Sequence, residues 1–174
     1  MTEEQRKLCL GLIRPAPPPI RHVSEDEFLN QFPSAVEGGK LAVKLLDDAS
    51  QARNAEDLHG ALVVGYAFGF GPEHIDILCG LVDDDWHYCH EDVVSALDKL
   101  RTPKAIEALF RATQWIPQSL EYDDSRALAV KAIWALGNLQ SREADMKLEA
   151  LARADDAILQ RTAAEQLERR RQET

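Results

Sequence analysis

The sequence predicts an all-α protein, an α-α superhelix built from about four helical hairpins. Three observations lead to this prediction. Apolar residues recur at helical spacing along most of the chain, alternating strand patterns and hairpin-turn dipeptides are scarce, and one helical pattern returns every 31 to 39 residues. A single hairpin of this size cannot bury its own apolar stripe, so we expect the hairpins to stack.

The repeat is clearest in the second helix of each hairpin. From Cys89 onward, apolar residues fall on one helix face, and similar spacing returns in three other segments. The anchor positions of the four copies are Leu62, Val93, Ala132 and Ala163.

A first helix precedes each of these segments. Pro72 and Pro103 lie where two first helices should begin, and a helix start does not use the N–H that proline lacks. Clustered aspartates precede the second helices, where a carboxylate caps free N–H groups. We therefore expect Asp85 to cap its helix and Trp86 to begin it. The clusters are residues 47–48, 83–85, 123–124 and 155–156.

The first 24 residues are predicted to be a separate, partly extended arm, and residues 25–174 the repeat domain. The segment "RPAPPPIRH" favours an extended polyproline conformation. Ser24 followed by Glu27 matches a capping box, which predicts a short helix at the start of the repeat domain.

The net charge of −10 is concentrated in one part of the chain. Residues 25–100 carry 16 acidic and 4 basic residues, a net charge of −12. Such a segment repels phosphate backbones, so nucleic acid is not the expected ligand. It could steer a basic protein into contact, or it could simply keep the protein soluble.

Cysteine usage and hydropathy point to the cytoplasm. Cys9, Cys79 and Cys89 are odd in number and show no paired spacing, which suits a reducing compartment. The N-terminal residues lack the apolar core of a signal peptide, and no apolar run approaches membrane-spanning length.

The segment "LVDDDWHYCHED", residues 81–92, is the densest cluster of reactive side chains. On a helix, His87 and His90 are three residues apart and His87 and Glu91 four apart, so each pair could converge on a metal ion. The alternative is a polar flank in which the histidines rest beside carboxylates and Cys89 is a small core residue.

The segment "AVKAIWALGNL" resembles the second helix of a HEAT-like repeat, in which small residues let helices approach closely. The matching positions are Ala132, Ala135, Leu136 and Gly137, and the resemblance covers residues 37–174 in outline. The arginine that is common early in that helix has no counterpart at Ala129. The resemblance implies a fold and by itself says little about function.

Enzymatic motifs are not apparent. Deoxyhypusine hydroxylases, a HEAT-like family, use several His-Glu pairs to hold two irons, whereas here His90-Glu91 is the single pair at the corresponding positions. Phosphate-binding loops and nucleophile elbows are also missing from the sequence. We therefore expect no catalytic residue, no metal and no cofactor.

An insertion at residues 117–126 would bring a second acidic turn beside the one at residues 83–85. Stacked hairpins would then present a ladder of carboxylates with aromatic residues between them, as protein interfaces do. Trp86 and Trp115 are expected in the core, while the position of Trp134 is open. The candidate partner contacts are Asp83, Asp84, Asp85, His87, His90, Glu91, Tyr122, Asp123 and Asp124.

The segments "DDDWHYCHEDVVSAL" and "LEYDDSRALAVKAIWAL" resemble the small acidic HEAT-like immunity proteins that bacteria encode beside secreted toxins. This resemblance implies a non-enzymatic protein that occludes a basic toxin, as a monomer or weak homodimer. Two alternatives stay open: a HEAT-like scaffold or adaptor that uses its concave face, and a metal-dependent enzyme built around His87, His90 and Glu91.

Overall fold

A computed structural model of the chain describes residues 1–13, 22–32, 37–122 and 124–172. Within these ranges the regular structure is helical and contains no strand, which confirms the all-α prediction. None of the described helices has the length and apolar character needed to cross a membrane. The α-helices are α1 Glu3–Gly11, α2 Glu25–Gln31, α3 Gly38–Ala52, α4 Ala55–Phe68, α5 Ile75–Leu81, α6 His90–Leu100, α7 Ile106–Gln114, α8 Ala127–Gly137, α9 Arg142–Leu151 and α10 Ala157–Gln172.

The chain forms two compact units, residues 1–77 and 78–174, where the sequence predicted an arm and one domain. Residues 3–11 of the predicted, partly extended arm form α1, which packs against α4. Thr2 and Gln5 start this helix with a capping box, in which each side chain bonds the backbone N–H of the other. The proline-rich segment at residues 14–21 lies outside the described residues.

In the N-terminal unit, α3 and α4 form a tightly packed hairpin. Arg53 closes α3 in the left-handed conformation with φ 47°, and Asn54 caps α4 by accepting a hydrogen bond from the N–H of Asp57 at 2.9 Å. Asp47 and Asp48 therefore do not precede the second helix as predicted. They lie inside α3 and face solvent.

Helix α2 begins where the sequence predicted. The Ser24 hydroxyl accepts a hydrogen bond from the N–H of Glu27 at 3.2 Å. One turn later the buried Phe28 ring lies 5.1 Å from that of Phe32 and 5.7 Å from that of Phe68. The packing of Phe28 against these two rings therefore holds the short helix α2 in position.

In the C-terminal unit, α6, α8 and α10 lie side by side in the same direction. At their N-terminal ends, the His90 ring contacts Trp115, the first residue of the loop before α8, and Arg126 pairs with Asp156. Their C-terminal ends meet around one residue at the end of α8, Asn138, which accepts hydrogen bonds from Arg101 and Arg169.

Helix α8 is the centre of this unit, because it contacts α6, α7, α9 and α10. Its buried positions include Leu128, Ala132, Ile133 and Leu136, and small residues among them allow neighbouring helices to approach. Both prolines predicted at helix starts open short 3-10 turns, Pro72–His74 before α5 and Pro103–Ala105 before α7.

We expect Gly65→Ala to lower the free energy of unfolding by up to about 2 kcal/mol in urea titrations. A Cβ at Gly65, inside α4, would overlap the ring of Phe70. Overpacking of this kind costs about 1–3 kcal/mol, which outweighs the gain of about 1 kcal/mol in helix propensity.

Gly39→Ala is the matched control, because a Cβ at Gly39 in the first turn of α3 meets no atom within 4 Å. It should leave the stability unchanged or raise it. Equal effects at the two positions would contradict the close packing of Phe70 on α4.

Candidate partner-binding site

The loops before α6, α8 and α10 lie at one end of the C-terminal unit and form the surface that we call the corner edge. Trp115 and His90 join the first two loops, with ring centroids 4.7 Å apart. Arg126 Nη1 joins the second to the third by donating to Asp156 Oδ2 at 2.7 Å. The three loops are residues 82–89, 115–126 and 152–156.

The first loop is not the helix start that the sequence predicted. Helix α6 begins at His90 without a side-chain cap, so Asp85 does not cap it and Trp86 lies outside it. The preceding helix ends at Leu81, whose carbonyl has no donor within its own helix. His87 supplies a donor from the loop at 2.8 Å, beside a longer bond of 3.5 Å from the N–H of Asp84.

Two buried histidines hold the backbone of this loop. His87 Nε2 donates to the carbonyl of Leu81, and His90 Nε2 donates to the carbonyl of Asp84, each at 2.8 Å. His87 Nδ1 in turn accepts from the N–H of Cys89 at 3.2 Å. Since one ring nitrogen donates and the other accepts, His87 is in the neutral Nε2–H form.

Burial keeps both rings uncharged. Burial, together with the neighbouring His90, lowers the pKa of His87 to about 4. Burial likewise lowers the pKa of His90 below its ordinary value, although the carbonyl of Asp84 acts in the opposite direction. A neutral imidazole can be buried without the cost of desolvating a charge.

The histidines also belong to a chain of four aromatic rings. Trp86 meets His87 edge-on at 4.8 Å, His87 stacks on His90 at 4.2 Å, and His90 meets Trp115 edge-on at 4.7 Å. The two tryptophans, which were expected in the core, are half-buried at the ends of this chain. The chain spans the first loop and reaches the start of the second.

The predicted contact role of His87 and His90 needs correction. His87 is only 5% exposed and His90 only 1%. They therefore support the loop from inside and cannot contact a partner directly. Glu91, the third residue of the metal-site alternative, pairs with Lys131 at 3.0 Å. In the described part of the chain, no group of three histidine, cysteine or acidic side chains is arranged to hold a metal ion.

Besides Glu91, two of the predicted acidic contacts have structural partners. Asp83 accepts from Arg111 Nε and Nη2 at 2.8 and 3.1 Å, and the same guanidinium bonds the carbonyl of Cys79. Asp84 accepts from Trp86 Nε1 at 3.0 Å. Both carboxylates therefore anchor the loop and are only partly available to a partner.

In the third loop, Asp156 caps a helix as the sequence predicted. Asp156 Oδ1 accepts from the N–H groups of Ile158 and Leu159, at 2.9 and 3.2 Å. Arg126, held in the left-handed conformation with φ 56°, binds Asp156 and also donates to the carbonyl of Thr113 at 3.0 Å. This arginine was not identified from the sequence, because its partners are distant along the chain.

The remaining predicted contacts lie on the surface. Asp85 and Asp124 are exposed, and Tyr122 is 82% exposed. Asp123 lies outside the described residues.

Tyr88 and Glu121, which the sequence did not single out, are also exposed on this edge. Tyr88 is 56% exposed. If a helix began at Trp86, Tyr88 would lie in its first turn. In the loop that is observed, the neighbours His87 and Cys89 point inward and Tyr88 is left exposed. The corner edge thus presents two tyrosines and several carboxylates on loops that are fixed from within.

Comparison with protein-family models, curated proteins and solved structures found no match for this chain.

We expect the free energy of unfolding to fall by about 2 kcal/mol between pH 7 and pH 5 because of His87. The unfolded chain binds this proton near pH 6.5, and the folded chain only near pH 4. The stabilisation is therefore complete above pH 6.5 and is lost as the pH falls toward 4. Urea titrations at the two pH values measure it.

His87→Gln should remove most of this pH dependence, since glutamine does not titrate. His22→Gln, at an exposed position, is the matched control and should retain it. A wild-type stability that stays constant across this range would show that folding does not require neutral histidines.

Proposed function

We propose that this chain is a non-enzymatic protein-binding module whose corner edge docks a basic protein. The observation that carries the proposal is the exposure of Tyr88 and Tyr122, 56% and 82%, on loops that are joined by a chain of rings with two buried histidines at its centre. Tyrosine is enriched at protein interfaces because it offers a large apolar area, a polar tip and few rotamers to freeze.

The charges on this edge favour a cationic partner. Among the described residues, Asp85, Glu121 and Asp124 take part in no ion pair, whereas Arg111 neutralises Asp83 and Lys131 neutralises Glu91. Uncompensated carboxylates raise the rate of encounter with a basic surface and discriminate against acidic ones. Such binding weakens as salt is added.

In its finer form, the proposal is that stacked HEAT-like hairpins present these carboxylates as a substitute for an anionic substrate. An immunity protein of this kind would neutralise a toxin by covering its basic cleft. Preorganised loops support this mechanism, because a surface that is already ordered loses less entropy when it binds.

A photoreactive benzophenone side chain in place of Tyr122 tests the proposal in cells that produce the protein. We expect one main adduct with a protein of net positive charge, and we expect the partner's activity to be inhibited when it is bound. The same side chain in place of Met146, which is 61% exposed on α9, is the control and should give no such adduct. Adducts with many unrelated proteins, or with none, would contradict a specific docking edge.

Charge reversal should weaken binding of the purified partner without loss of thermal stability. We expect Asp85→Lys combined with Asp124→Lys to raise the Kd at least tenfold, about 1.4 kcal/mol, in calorimetric titrations. Both carboxylates are exposed and make no ion pair in the described residues. Asp84 is unsuitable for this test because it holds Trp86.

The control is Asp47→Lys combined with Asp48→Lys, which changes the net charge equally on the exposed face of α3. Equal weakening by both pairs would mean that only overall charge matters, and the corner edge would not be the interface.

One observation favours the adaptor alternative. Trp134 is 45% exposed on α8 and lines an open groove of about 390 Å³ with Val130 and Ile158. An exposed tryptophan beside a groove is a frequent interface anchor. If Trp134→Ala abolishes binding of the purified partner while the pair of Asp85 and Asp124 substitutions does not, the helix face is the interface and the corner edge is not.

A further inference from the structure

The C-terminal ends of α6, α8 and α10 surround an open groove at the opposite end of these helices from the corner edge. Its volume is about 890 Å³, within the range of about 300–1,000 Å³ typical of small-molecule sites. In a chain with a net charge of −10, this groove is locally basic. Its charged lining consists of Arg101, Arg169, Arg170 and Arg171 with Asp145 and Glu149.

Asn138, at the end of α8, fixes two of these arginines. Arg101 Nη1 donates to its backbone carbonyl at 3.3 Å, and Arg169 Nη2 donates to its side-chain Oδ1 at 2.9 Å. The Asn138 amide is itself oriented, because its Nδ2 donates to Asp98 Oδ1 at 2.9 Å. Two guanidinium groups from different helices are thus held beside the groove before any ligand binds.

Arg169 differs from its neighbours in having only neutral partners. Its guanidinium contacts the Asn138 amide and lies 5.3 Å from the Trp134 ring centroid, and it forms no ion pair within the described ranges. Its Nε is buried and has no hydrogen-bond acceptor. An added anion would accept a hydrogen bond from this unused donor and stabilise the half-buried positive charge.

Arg101 has a left-handed backbone, as Arg53 and Arg126 do, and its guanidinium is only weakly engaged. This residue ends α6 in the left-handed conformation with φ 46°, a position at which helices usually have glycine. Its guanidinium donates to Asn138 and lies 3.5 Å from Asp98, both long contacts. Several N–H groups of Arg101 therefore remain for a ligand.

Complementing the helix dipoles does not by itself explain these arginines. Helix C-terminal ends carry partial negative charge, and the bond from Arg101 to the Asn138 carbonyl serves that purpose. Arg169 instead donates to the side-chain oxygen of Asn138, so this bond does not satisfy a backbone carbonyl at a helix end.

We propose that this groove binds a phosphorylated small molecule, with the phosphate held between Arg101 and Arg169. Guanidinium groups bind phosphate oxygens through paired N–H donors, which gives both charge and geometric selectivity. The groove is much larger than a phosphate ion, so the remainder of the ligand would occupy the space toward α9. This site is independent of the corner edge.

Isothermal titration calorimetry at physiological salt tests the proposal with two probes, inorganic pyrophosphate and ribose 5-phosphate. We expect one or both to bind, and Arg101→Gly and Arg169→Met each to weaken that binding at least tenfold. Arg101→Gly is the decisive variant, because glycine relieves the positive φ and the protein should remain folded with an unchanged or higher Tm.

Arg161→Gln is the matched control, since Arg161 is an exposed arginine of the same helix that does not line this groove. It should bind as the wild type does, and so should the pair of corner-edge substitutions Asp85→Lys and Asp124→Lys. The proposal is overturned if neither probe binds at concentrations up to about 10 mM, the range of very weak sites. It is also overturned if Arg101→Gly binds like the wild type, or if Arg161→Gln weakens binding equally.

Discussion

The corner edge depends on how the backbone between α5 and α6 finds its hydrogen bonds. A buried carbonyl without a donor is costly, and the turn after α5 leaves the carbonyls of Leu81 and Asp84 inside the fold. His87 and His90 satisfy them, and in doing so they place their rings in one stack that reaches Trp115. One local requirement thereby fixes the loop before α6 and links it to the loop before α8.

The acidic residues of this region have different roles that their number alone does not reveal. Asp83 and Asp84 bind Arg111 and Trp86, and Asp156 caps α10, so these carboxylates serve folding. Asp85 and Asp124 remain exposed. At the other end of the same helices the charged groups include Arg101 and Arg169. Carboxylates near helix N-termini and cations near C-termini both complement the helix dipole, so folding and recognition favour the same arrangement of charge.

Much of the local structure could be predicted from the sequence. Helical spacing located α8 and its buried Ala132 and Leu136, and the hydroxyl of Ser24 begins α2 as its motif indicates. The start of α6 could not be predicted, because residues 86–89 fit a helical pattern as well as a loop. The bonds from His87 and His90 to carbonyls six residues earlier favour the loop, and a helical repeat of side chains does not indicate them. The roles of Asp47 and Asp48 were misjudged for a similar reason, since an aspartate pair is compatible with both a cap and a helix surface.

By itself, the sequence determined the helical class of the protein, the approximate position of its main helices and the segment in which acidic and aromatic residues concentrate. These properties follow from spacing and local propensity, which act over a few residues. The tertiary structure decided which side chains of that segment face inward. It buried both histidines, tied Asp83 and Asp84 to the fold, left Tyr88 and Tyr122 exposed, and gathered Arg101 and Arg169 around Asn138. Several of these outcomes depend on contacts between residues far apart in the chain, such as Asp83 with Arg111 and Arg169 with Asn138, and such contacts exist only once the helices pack.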